Sequence, residues 1–64
     1  MKPNIDKAEH ILRSLEVKQE VPIQYPYKKI YIKATAKNIN LLKDFIKNDW
    51  SWAMLIRRLD KSVS

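Results

Sequence analysis

A single, mainly helical domain with one short strand is what this sequence predicts, in the order α-β-α-α, with the strand pairing antiparallel across a homodimer. Three observations lead there. The chain has 64 residues, room for one domain only. Apolar residues recur at helical spacing in three stretches, and strict alternation is convincing in just one, Lys28 to Thr35.

The first stretch, residues 1 to 20, begins with Pro3 before Asn4, a good N-cap, and then places Ile5, Ala8, Ile11, Leu12 and Leu15 on one stripe. Asp6, Lys7, Glu9, His10, Arg13, Ser14 and Glu16 fall opposite. The helix is expected to end near Lys18 to Glu20, because Val21 precedes Pro22 and a residue before proline is pushed out of the helical region. Residues 21 to 27 contain Pro22 and Pro26 and read as a linker or edge segment, since proline cannot sit in a central strand.

Residues 28 to 64 form the basic part of the domain. In KKIYIKAT, Ile30, Ile32 and Ala34 lie on one face and Lys29, Tyr31, Lys33 and Thr35 on the other. A lone strand leaves its N–H and C=O groups unsatisfied, so it needs either the segment near Ile23 or its own copy in a second subunit. The two prolines favour the copy, and a chain this short without disulfides gains a sufficient core by dimerising. Asn38 then reads as the N-cap of a helix carrying Ile39, Leu41, Leu42, Phe45 and Ile46 on one side. Asp49 or Ser51 caps a last helix whose Trp52, Leu55, Ile56, Leu59 and Val63 share a face, with Arg57, Arg58, Asp60 and Lys61 away from it.

Composition excludes several functions. With no glycine there is no phosphate-cradling loop or dinucleotide fingerprint, and with one histidine and no cysteine there is no zinc site. His10 falls on a polar helix face without a nucleophile beside it. The seven carboxylates mostly have a lysine or arginine three or four residues away, a spacing that suits surface ion pairs better than acid/base work. No enzyme, cofactor or metal is expected. With no charged-then-apolar leader and no membrane-length apolar run, the expected location is cytoplasmic, and the lysine-, isoleucine- and asparagine-rich composition fits an AT-rich bacterial or viral gene.

What the charge does favour is a polyanion. The first 27 residues carry four basic and four acidic side chains, the rest nine and three, so the formal +6 belongs entirely to the second part. In that part, KKIYIKA, NINLLKDFIKN and SWAMLIRRLDKSV resemble the strand, first helix and second helix of the ribbon-helix-helix DNA-binding repressors. The resemblance implies an intertwined dimer whose paired strands lie in the major groove, and a transcriptional regulator as the function. It makes Lys29, Tyr31 and Lys33 the base readers and puts a phosphate clamp at Ser51 and Trp52. The chain departs from the family pattern in having Asn48, Asp49 and Trp50 where the turn between the helices usually has glycine. The first 27 residues are an extension, expected to pack on the core, join dimers or bind a separate host protein. Pairing of the strand with Ile23 to Tyr25 would instead give a small α+β module, suited to binding and inhibiting a larger host enzyme or polymerase. Arg57, Arg58 and Lys61 are too few for a membrane-surface helix.

Overall fold

Helix α1 spans Pro3–Leu15 and buries Ala8, Ile11 and Leu15. The structure, a computed structural model, describes residues 3–63. Met1, Lys2 and Ser64, the outermost residues of the expected first and last segments, lie outside the described residues. Pro3 opens α1 at the position where a missing N–H costs nothing. The helix stops short of the expected Lys18 to Glu20 because its apolar stripe runs out at Leu15. Val17 is 83% exposed, so a further turn would bury nothing. The chain closes instead with tight turns, Glu16 N–H donating to Arg13 C=O at 3.1 Å and Lys18 N–H to Ser14 C=O at 2.9 Å.

Three strands follow where one was expected. They are β1, Glu20–Gln24; β2, Lys29–Lys33; and β3, Lys61–Val63, in an antiparallel sheet of order β1-β2-β3. The expected mainly α fold with one strand is therefore corrected to an α-β-β-α-α-β chain, and the expected cross-dimer ribbon with it. Strand β2 is paired with β1 along its whole length and with β3 over Ile30 to Ile32, so its centre has no free ladder to offer a second copy. Of residues 21 to 27, read as a linker or edge segment, Val21 to Gln24 belong to the edge strand β1 and the rest to the connection into β2.

Pro22 is compatible with that edge because of its register. Ala34 N–H donates to Gln19 C=O at 2.9 Å and Tyr25 N–H to Lys28 C=O at 2.8 Å. The alternation of an antiparallel ladder then turns the backbone of Val21 and Ile23 toward β2 and that of Pro22 outward, where no donor is needed. The same proline blunts the outer edge against pairing with another strand. The only positive φ among the described non-glycine residues is Asp49. This excludes the two-residue primed turns, and the hairpin closes through Tyr25, Pro26, Tyr27 and Lys28.

Helix α2 spans Ala36–Asn48 and its N-cap is Thr35, whose hydroxyl accepts from Asn38 N–H at 3.1 Å. Asn38, expected as the cap, is fully buried and does something else. Its Nδ2 donates to Lys33 C=O at 2.7 Å and to Asp60 C=O at 2.8 Å, while its Oδ1 accepts from Asp60 N–H at 2.7 Å. One side chain thus ties the end of β2 to the segment entering β3. Asp49 takes the left-handed conformation after α2, φ 50° and ψ 58°, in which aspartate is among the more tolerant residues.

Helix α3 covers only Trp52–Arg58, not the expected run to Val63. Leu59 is already extended, and Asn38 holds the next residue by both backbone groups. Beyond it, Lys61–Val63 gains a ladder along β2 that a continued helix would leave unmade. The sheet's inner face, Val21, Ile30 and Ile32, packs with Leu42, Phe45, Leu55, Ile56 and Leu59 into one core. The rings of Trp50 and Trp52 meet Phe45 edge-on, at centroid distances of 5.6 and 5.7 Å. Among the described residues, no helix is long and apolar enough to cross a membrane.

Candidate functional site

All of the buried strand residues point to one side of the sheet, leaving the other side without cover. Strand β2 alternates exposed, buried, half-buried, buried, exposed from Lys29 to Lys33, so Lys29, Tyr31 and Lys33 share the open face at its central strand. The two lysines are four residues apart, about 13 Å along the strand, with Tyr31 midway.

The ladder brings neighbours to this triplet that the sequence reading did not assign. Glu20 lies directly across from Lys33, Gln24 across from Lys29, and Tyr31 is flanked by Pro22 on β1 and Ser62 on β3. Its immediate cross-strand neighbours are thus short, and Tyr31 itself is half-buried. At the hairpin end, Tyr27 is 98% exposed and followed by Lys28. Sequence reasoning missed Glu20, Pro22 and Gln24 because Pro22 disqualified a segment whose alternation, Val21 and Ile23 against its neighbours, was otherwise visible. Ser62 was missed because it was placed on a helix.

The other two expected site residues lie apart from this face. Ser51 is the N-cap of α3, and its hydroxyl accepts from Met54 N–H at 3.4 Å. Trp52 packs on Phe45 in the helix layer, with Lys7 Nζ 5.8 Å from the ring centroid. The structure therefore separates the five residues into three on the open face and two beneath the sheet.

Trp50, in the turn between the last two helices, is half-buried, with its Nε1 enclosed and without an acceptor, and Arg58 lies 5.5 Å from its ring centroid. A groove of about 530 Å³ runs between α1 and the outer edge of β1, with Ile11, Val21, Ile23 and Trp52 as apolar lining and Asp6 and His10 also on it. Most of the remaining basic residues are spread over the helices, and Lys37 is paired with Asp60 at 3.2 Å.

No protein-family model, curated protein or solved structure matches this chain.

Proposed function

We propose that the chain is a small nucleic-acid-binding protein whose contact surface is the open face of the sheet, with a regulatory role as its setting. The observation that carries the reading is the placement of Lys29, Tyr31 and Lys33 together on the uncovered side of the central strand. Two cations about 13 Å apart attract a phosphate backbone, and an aromatic ring between them offers a stacking surface. The formal +6 adds a long-range field that raises the rate of encounter with a polyanion. The face is rigidly supported, since Ile30 and Ile32 on its reverse are at most 1% exposed.

Fluorescence anisotropy with a labelled oligonucleotide across a salt series tests this. Lys33→Ala is a surface substitution and should leave the melting temperature nearly unchanged. It should weaken binding and reduce the slope of log affinity against log salt by about 0.7 to 0.9, the signature of one lost phosphate contact. An unchanged slope means that this face is not the binding surface. Absence of any salt-dependent binding by the unaltered chain would instead favour a protein target, such as a larger enzyme that the chain inhibits.

A further inference from the structure

Resting on that reading, we infer that the ligand of the open face is a single-stranded nucleic acid, with one base stacked on Tyr31 and a second on Tyr27. The chemistry of the whole face decides between a single strand and a duplex. A duplex presents phosphates along both rims and keeps its bases stacked on one another, so a protein surface facing it profits from cations and from bidentate donors to base edges. This face has neither in sufficient measure. Its cations are two lysines, which act as point charges and offer a base edge no bidentate fork, and a carboxylate, Glu20, stands directly across the ladder from Lys33.

A splayed base turns each of those features into a favourable one. Tyr31, half-buried, lies at the centre of the sheet between the short side chains of Pro22 and Ser62, so a planar ring can meet the part of the phenol that remains in solvent. Around it stand groups that match unpaired base edges: the Ser62 hydroxyl, the Glu20 carboxylate, an acceptor for an exocyclic amino group such as that of cytosine, and the amide oxygen of Gln24, whose Nε2 donates to Pro26 C=O at 3.3 Å. Lys29 and Lys33 then hold the phosphates on either side of the stacked base. Tyr27 projects from the hairpin with 98% of its surface in solvent. A fully exposed aromatic residue beside Lys28 costs apolar exposure in the free protein, and a second stacking partner accounts for it.

The test compares four labelled probes of one sequence, roughly 12 nucleotides long and within the span of single-strand binding sites. They are the deoxy single strand, the ribo single strand, the DNA duplex and the RNA duplex. Both single strands should bind the full chain more tightly than either duplex, and the ratio between the deoxy and ribo strands identifies the natural source. Tyr31→Ala should weaken single-strand binding by about 5- to 150-fold, the equivalent of one base stack of about 1 to 3 kcal/mol. Tyr31→Phe, which keeps the ring, should stay within about twofold of the unaltered chain. Tyr27→Ala tests the same idea at a side chain that lies 98% in solvent and should also weaken single-strand binding. Duplex binding that equals or exceeds single-strand binding, with Tyr31→Ala and Tyr27→Ala both silent, overturns this inference while leaving the nucleic-acid reading in place. Failure of all four probes to bind in a salt-dependent way overturns both.

Discussion

Replacing Asn38 by alanine should damage this protein more than the loss of any other single polar side chain described here. Asn38 makes three side-chain hydrogen bonds of 2.7 to 2.8 Å while fully buried. Their loss is unequal. Lys33 C=O keeps Thr35 N–H as a donor at 3.0 Å, and Asp60 C=O keeps Lys33 N–H at 3.3 Å, so those two carbonyls lose one bond each and stay satisfied. Asp60 N–H has no second acceptor among the described bonds. Two ordinary bonds at about 0.5 to 1.5 kcal/mol each, and one orphaned donor at about 1 to 3 kcal/mol, give a destabilisation of about 2 to 6 kcal/mol. A domain of 64 residues has a total stability of about 3 to 10 kcal/mol, so the variant should be close to unfolding at room temperature.

Urea denaturation followed by fluorescence of Trp50 and Trp52 measures the change directly. Asn40→Ala, an exposed asparagine two residues further along α2, is the control and should move stability by less than about 0.5 kcal/mol. Hydrogen exchange adds a local readout, since the amides of Lys33, Asp60 and β3 should lose protection before those shared by β1 and β2. A loss below about 1 kcal/mol in Asn38→Ala, or β3 amides as protected as before, would refute the reasoning that this side chain fastens β3 to the sheet.

Two further outcomes follow from the sheet and the tryptophans. Ile32→Pro removes the ladder donor facing Val21 and should unfold the chain outright, whereas the unaltered chain, with both sides of β2 satisfied internally, should sediment as a folded species even at low micromolar concentration; dissociation accompanied by unfolding on dilution would contradict this. Trp52→Ala should cost roughly 2 to 3 kcal/mol in thermal or urea melts, less than a fully buried tryptophan because the ring is only half-buried, and Ser51→Ala about 0.5 to 1 kcal/mol, because its cap bond is long at 3.4 Å; a larger effect at Ser51 than at Trp52 would reverse the roles given to them.

The helical faces and the two-sidedness of the central strand were legible in the order of residues alone. The stripe Ala8, Ile11, Leu15, the stripe Leu42, Phe45 and the alternation of Ile30 and Ile32 with Lys29, Tyr31 and Lys33 all appear in the structure where period and polarity put them. Such patterns are legible because burial acts on each element through its own repeat, whatever the element packs against. What β2 pairs with was a different kind of question, answered by contacts between segments far apart in the chain. Pro22 counted against β1 until the register showed that its missing donor faces outward. Lys61 to Val63 completed a helical stripe through Val63, until the free side of β2 and the grip of Asn38 on Asp60 drew that segment into the sheet. Asn38 is the clearest case. In one dimension it is an asparagine near a helix start, which reads as a cap, and its actual partners are 5 and 22 residues away, a relation that no local period encodes. The open face has the same origin: Lys29, Tyr31 and Lys33 could be named from alternation alone, but Glu20, Gln24 and Ser62 join them only because hydrogen-bonded strands bring distant residues side by side.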